Sequence, residues 1–332
     1  VNSLDAGKDM NMITGLHHVT AMAGDAQGNL DFYAGVMGMR LVKRSVNQDD
    51  PGTYHLFYAD GEGAPGSDLT FFPWGAAAPR GRLGAGISTG VGLAVPTGSL
   101  EFWARRLMQY GVSVTPETRF GESTLVFTDP DGLEVALIEA NRAGTPWEGS
   151  SVPAEHQVRG LHSARMWQRM MEPTTRFLTR SMGFTFQAED NGWHRYVIGA
   201  GASGQILEIK LEPSAPTARF GAGVIHHLAW RVPDDATELV VRQVLDDADR
   251  SPTPVIDRFW FKSVYFREPG GAVFEIATDG PGFAVDEPAA TLGETLVLPP
   301  WLEPQRAEIE RVLPKLELPS ARKRLTPFVA QG

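Results

Sequence analysis

The chain has 332 residues, of which 42% are hydrophobic and 21% charged, and its formal net charge is −10. Those proportions belong to a globular protein, and the acidic balance excludes the basic surface that nucleic-acid binding needs. There is no cysteine, which rules out disulfides, thiolate metal sites and catalytic thiols.

Taken in order, the chain opens with a polar stretch, Val1 to Met12. It lacks the apolar core of a signal peptide and reads as a mobile tail. No apolar run approaches the roughly 18 residues of a membrane span, so a cytoplasmic location is expected. Next comes Gly15-Leu16-His17-His18-Val19-Thr20, followed by Phe32 and by Met37-Gly38-Met39. The same landmarks return 145 residues later as Gly160-Leu161-His162-Ser163, Phe177 and Met182-Gly183-Phe184. A constant offset across several landmarks marks an internal repeat.

A second pair of repeats lies between and after these. Leu93-Ala94-Val95-Pro96 precedes a segment whose Leu100, Trp103, Leu107 and Tyr110 have helical spacing. Asp129-Pro130-Asp131-Gly132 then marks a turn before a last strand, Leu133 to Ile138. In the last quarter Val224 to Val232 reads as a strand, Ala236 to Asp247 as a helix, and Glu268-Pro269-Gly270-Gly271 as a hairpin turn before a strand from Ala272 to Ala277. Each quarter therefore reads as strand, helix and about three further strands. The units are expected at 13–75, 84–140, 158–212 and 222–279. They group into halves at 13–145 and 158–285, joined by a linker at 146–157 and followed by an extension at 286–332. Within the extension, Glu303 to Leu313 reads as a short helix and Arg322-Lys323-Arg324 as a solvated basic tail.

Histidines and one carboxylate carry the chemistry. Two of the repeats open on adjacent histidines, His17-His18 and His226-His227. Neighbours on a strand face opposite ways. Parity puts His226 with Val224, Leu228 and Trp230 on the helix-covered face, and His227 with Ala229 and Arg231 on the open one. By the same argument His18 faces the open side and His17 the helix side. Glu275 interrupts the apolar strand Phe274 to Ala277 and aligns with Ala136 of the second unit. Its counterpart in the first unit is the strand Leu69-Thr70-Phe71-Phe72, read as offering an apolar residue where a fourth ligand would stand. His18, His227 and Glu275 thus form a candidate metal set. Two histidines and a carboxylate with open positions form the facial triad of non-haem Fe(II) enzymes that activate oxygen, whereas structural zinc more often closes four positions. Units two and three lack this set, so their cup is expected to be metal-free. A lone strand histidine is ordinarily structural, and His55, His156, His162 and His194 are read so, as are Glu134 and Glu208.

These motifs, together with Gly24-Asp25-Ala26-Gln27-Gly28 and Tyr265-Phe266-Arg267-Glu268-Pro269-Gly270-Gly271, resemble the vicinal oxygen chelate superfamily, which contains glyoxalase I, bleomycin resistance proteins and extradiol dioxygenases. More narrowly they resemble its branch of hydroquinone and chlorohydroquinone ring-cleaving dioxygenases. The resemblance covers about residues 13 to 315. It implies an α+β fold of four βαβββ modules in two cupped mixed sheets. It also implies a non-haem iron, extradiol-type enzyme with Fe(II) on His18, His227 and Glu275; Mn, Zn or Ni could replace iron in a purified sample. His226, Tyr265 and Arg258 would be catalytic, the first two by hydrogen bonding and the arginine by meeting negative charge. His17 and Thr20 would bind substrate, which places His17 and His226 near the site against the parity argument. The partners implied are a small aromatic substrate and O2, with no nucleic acid and no membrane; a homo-oligomer is compatible. A glyoxalase-type metal isomerase or lyase, and a non-catalytic small-molecule binder, are the alternative readings.

Overall fold

The computed structural model describes residues 12–318. The tail expected over 1–12 lies outside them except for Met12, as does the basic run Arg322-Lys323-Arg324.

Unit one comprises β1 (Gly15–Ala23), α1 (Ala26–Leu30) prolonged by a π-helical turn over Asp31–Val36, then β2 (Arg40–Asn47), β3 (Asp50–Ala59) and β4 (Asp68–Pro73). Unit two comprises β5 (Ser88–Val95), α2 (Leu100–Gln109), β6 (Thr115–Arg119), β7 (Glu122–Thr128) and β8 (Glu134–Glu139). Unit three comprises β9 (Gly160–Gln168), α3 (Met171–Ser181), β10 (Thr185–Asp190), β11 (Trp193–Val197) and β12 (Ile206–Leu211). Unit four comprises β13 (Val224–Val232), α4 (Asp235–Asp247), β14 (Ile256–Asp257), β15 (Lys262–Arg267) and β16 (Val273–Thr278). All four units are βαβββ. A last helix, α5 (Arg306–Val312), lies in the extension.

Local chemistry explains the element ends. The Asp25 carboxylate accepts from the Gly28 amide and caps α1, which accounts for the Gly24-Asp25 motif. Asp234 caps α4 through the Thr237 amide. On α2 the residues one turn apart, Trp103 and Leu107, are the buried ones.

The sheets do not follow the order of the chain. One sheet runs β14-β15-β16-β13-β1-β4-β3-β2, so it joins units four and one. The other runs β10-β11-β12-β9-β5-β8-β7-β6 and joins units three and two. In every unit the first strand pairs in parallel with the last, and the two units of a sheet meet along antiparallel first strands, β1 with β13 and β5 with β9. Each sheet is therefore mixed and curled about a local two-fold at its centre.

The helices and the sheet faces they cover share one large core, which includes Leu16, Trp103, Leu178 and Trp230. A smaller apolar cluster, with Phe57, Ala229, Trp260 and Phe261, lies on the other face of the first sheet. The two inter-unit crossovers also pair with each other, Arg80 with Ala222 and Arg82 with Arg219. Gly223, just past this seam, has φ +86°, and a Cβ there would stand 1.9 Å from the Asp131 carbonyl oxygen. Gly223→Ala is expected to cost about 1–3 kcal/mol, read as a lower urea midpoint with the slope unchanged.

The extension binds back onto unit one. Lys43 of β2 is fully buried, and its ammonium donates to the Phe283 carbonyl at 3.0 Å, to Asp286 at 2.7 Å and to Glu287. The other oxygen of Asp286 accepts the indole N–H of Trp260 at 3.0 Å. Further along, the Val297 amide donates to the Arg44 carbonyl and the Tyr54 hydroxyl to the Pro314 carbonyl.

Candidate metal centre

The site forms where β1 and β13 run side by side. Along this pair the register steps from Leu16–Trp230 straight to His18–Ala229, and from Thr20–His227 straight to Ala21–Ile225. His17 and His226 are thus the extra residues of two bulges related by the local two-fold. A bulge re-aims side chains, so strand parity fails at these two positions. Both rings turn toward the site instead of the helix layer. His17 packs on Phe261, 5.1 Å between ring centroids, and His226 lines the cavity beside His227.

His18, His227 and Glu275 are all buried and converge, with one ligand atom from each lying within 4.8 Å of the others. Nε2 of His18 is 3.1 Å from Nε2 of His227. The Glu275 Oε2 lies 3.0 Å from the His227 Nε2 and 3.4 Å from the His18 Nε2. The other oxygen, Oε1, accepts from the Ser263 hydroxyl. Burial alone would push the Glu275 carboxyl up, but the neighbouring His18 and His227 hold it well below the usual range, as the anion.

Tautomers on the β1 side follow from the partners. His17 Nε2 faces the Thr278 carbonyl oxygen at 3.1 Å, so it carries the proton. Burial and the adjacent His18 push the His17 pKa down to about 3, which keeps the ring neutral and leaves Nδ1 as an acceptor. His18 Nδ1, 2.9 Å away, must then donate to it. As a metal ligand, His18 would then present the lone pair of Nε2. On β13 the Nδ1 atoms of His226 and His227 stand 2.8 Å apart in the same arrangement. Such outer partners set the orientation and basicity of metal-binding imidazoles.

Lone pairs facing one another need a proton or a cation between them. The Glu275 Oε2 is buried and accepts no well-formed hydrogen bond. Ligand atoms about 2.1 Å from a metal, at right angles, stand about 3 Å apart, the spacing found here. The donor set fits a divalent cation.

The local two-fold also identifies the fourth position. Glu275 pairs with Ala229, two residues beyond His227; the residue paired two beyond His18, with Thr20, is Thr70. The counterpart of Glu275 is therefore a hydroxyl, not the apolar Phe71 or Phe72 expected from the sequence. The register decides this, because Phe71 is one step along and joins the core on the opposite face. The Thr70 hydroxyl is taken up by its neighbours, 2.8 Å from Thr20 Oγ1 and 2.9 Å from His55 Nε2.

The triad opens into a cavity of about 430 Å³, with Phe57, Phe72, Trp260 and Phe261 among its walls. His226, Tyr265 and Arg258 all line it. His226 stacks on Phe220, 5.1 Å between centroids, and Tyr265 lies edge-on to His227 at 5.7 Å. Burial, and then Glu275, raise the Tyr265 pKa, so the phenol keeps its proton. Arg258 lies over the Tyr265 ring and is clamped by both oxygens of Asp49, at 3.2 and 2.9 Å. His17 and Thr20, expected to bind substrate, do not line the cavity; they stand behind its wall, on Thr278 and Thr70. His55, read from the sequence as structural, does line it. Ser263 and Thr70 also escaped the sequence reading. Trp260 did not: the run Phe259-Trp260-Phe261 beside Arg258 is aromatic enough to suit an aromatic substrate, and Trp260 and Phe261 do line the cavity.

The second sheet differs at every corresponding position. There Ser163 stands for His18, Gly90 for His227, Ala136 for Glu275 and Glu208 for Thr70. Glu208 is buried and held by Arg165 at 2.6 Å and Arg195 at 2.7 Å, and His162 pairs with Glu122. This cup is filled by its own ion pairs.

Comparison with known proteins agrees with this architecture. Residues 15–137 match the Glyoxalase/Bleomycin resistance protein/Dioxygenase superfamily. The chain is 41% identical over 305 residues to "Putative ring-cleaving dioxygenase MhqO" of Bacillus subtilis, covering 92% of this chain and 97% of that protein. It is 32% identical over 314 residues to a chlorohydroquinone/hydroquinone 1,2-dioxygenase of Sphingobium indicum, covering 91% of this chain and 96% of that protein. A crystal structure titled as a putative dioxygenase from Bacillus subtilis superimposes with a TM-score of 0.88 at 40% identity, covering 92% of this chain and 98% of that one. The chain belongs to the glyoxalase/bleomycin resistance protein/dioxygenase superfamily, with relatives named as ring-cleaving dioxygenases.

Proposed function

We propose that this protein is a ring-cleaving dioxygenase that inserts O2 into a dihydroxylated aromatic of hydroquinone or catechol type. The observation that carries the reading is a triad with no fourth carboxylate: His18, His227 and Glu275 converge, and Thr70 stands where a second acid would close the set. A glyoxalase-type lyase would more naturally use four protein ligands, and a simple binder would need none. The relatives' names point the same way.

The metal in this reading is Fe(II), used in an extradiol-type site. Bound there, Fe(II) would supply the one-electron chemistry that lets dioxygen react with an aromatic ring. The chain's own residues do the rest. His17 holds the His18 imidazole in the tautomer with a bare Nε2, and His226 stands against the His227 Nδ1 on the other strand. The walls of Phe57, Phe72, Trp260 and Phe261 exclude water and take the flat face of a ring. Tyr265 and His226 offer hydrogen bonds to bound oxygen atoms, and Arg258 offers positive charge at the rim. Thr20 acts through Thr70.

The test is oxygen consumption. Protein loaded anaerobically with about one Fe(II) per chain is expected to take up O2 on addition of hydroquinone or catechol. Uptake with neither, nor with their ring-substituted forms, at full iron occupancy would refute the reading.

A further inference from the structure

His55 comes from β3, a strand that carries none of the triad. Its ring is held between Phe57 and Phe72, with centroids 3.8 and 4.4 Å away. Nε2 is bound to the Thr70 hydroxyl at 2.9 Å, and Thr70 in turn to Thr20 at 2.8 Å. Both threonines are fully buried, so this ring nitrogen is committed to the protein. Among the described residues Nδ1 has no hydrogen-bond partner, and it is not among the buried unpaired atoms. The ring lines the cavity, so this nitrogen is left to meet whatever fills it.

The local two-fold gives the arrangement a meaning. Phe57 pairs with Thr70 as Tyr265 pairs with Glu275. Two residues back along the strand, on the same face, His55 occupies the place of Ser263, whose hydroxyl supports Glu275. Two walls thus face each other across the cavity. One, from β15, carries Tyr265. The other, from β3 and β4, carries Phe57, Phe72 and His55. Other polar side chains on that second wall, such as Gln48 and Asp49, belong to the β2–β3 turn at the rim, where they engage Arg258. Below the rim His55 is the polar group of an otherwise apolar wall.

We propose that His55 is a specificity-determining residue, whose Nδ1 hydrogen-bonds the hydroxyl group of the aromatic ring that is not held at the triad. The inference rests on the dihydroxylated-aromatic reading above. The Thr20–Thr70–His55 chain positions the ring. Because hydroxyl rotors can point either way, it allows Nδ1 to accept or to donate. A ring with one hydroxyl leaves this nitrogen unpaired, and that lost bond is the source of discrimination.

Two isosteric variants separate the two ring nitrogens. His55→Gln reaches Thr70 but offers nothing at the place of Nδ1. His55→Asn offers an amide at the place of Nδ1 but does not reach Thr70. Calorimetry on Zn(II)-loaded protein, which does not turn over, gives dissociation constants for hydroquinone, catechol and phenol. The wild-type protein is expected to bind at least one diol about tenfold tighter than phenol. His55→Gln is expected to bring that ratio close to one, with phenol binding unchanged, and His55→Asn to keep most of it. A wild-type ratio that survives in His55→Gln, or that is lost equally in both variants, overturns the proposal, as does a wild-type protein without diol preference. Binding is measured apart from turnover. A failure of O2 uptake with Fe(II) would therefore refute the dioxygenase reading while leaving this ratio to judge His55.

Discussion

Glu275→Gln is expected to abolish metal loading and, with it, oxygen uptake, while leaving the fold intact. The carboxylate is one of three converging ligand atoms, and its Oε2 accepts no well-formed hydrogen bond. Outer-sphere changes alone typically cost about 10–100-fold in metal affinity; loss of a direct ligand should exceed about a hundredfold. The effect on stability is read separately in the two states. Without metal, the substitution removes an anion that the neighbouring His18 and His227 favour, so the chelated variant should melt below the chelated wild type. With metal, the wild type gains stability by mass action, and the variant should not. Scanning calorimetry with and without Mn(II) or Zn(II) checks both. An equal metal-induced rise in melting temperature for both proteins would remove Glu275 from the ligand set.

Lys43→Met should produce the largest loss of stability away from the site. The ammonium is fully buried and faces Asp286 and Glu287, so its removal strands two carboxylates at the seam between β2 and the extension. Breaking a buried pair on one side costs about 3–5 kcal/mol. Urea denaturation should show this as a lower midpoint. Neutralising the acids in the same chain, Asp286→Asn with Glu287→Gln, should recover most of the loss, because the penalty belongs to the unpaired charges. Independent, additive losses would contradict it. Asp286 also holds the Trp260 indole, a wall of the cavity. The single variant should therefore weaken substrate binding as well, although Lys43 touches no substrate.

The two effects show how the site is divided between local signals and long-range pairing. The paired histidines at the head of two repeats, the acid inside an apolar strand, and the Asp-Gly and Pro-Gly-Gly turns are all local patterns. They lie in single stretches of chain, and periodicity and the constant repeat offset expose them. The βαβββ units were legible for the same reason, since each is built from neighbouring residues. Even the need for unit one and unit four to meet could be read from the chemistry, because the candidate ligands are shared between them.

What could not be read depends on register. The bulges at His17 and His226 exist only because β1 and β13, about two hundred residues apart in sequence, pair with one step missing on each side. Nothing in either strand alone announces them, and so strand parity pointed both rings the wrong way. The fourth position fell to Thr70 and not to Phe71 because β4 lies parallel to β1 in one register; a slip of one residue would have exchanged them. His55 and Ser263 matter because of what stands on the adjacent strand, and each looks ordinary in its own sequence. Sequence alone determined the modules, the fold class and a candidate ligand set, because turns, helices and residue chemistry are local. Only the tertiary structure decided which atoms meet, because strand pairing is fixed by distant partners, and a shift of one residue turns every side chain to the other face.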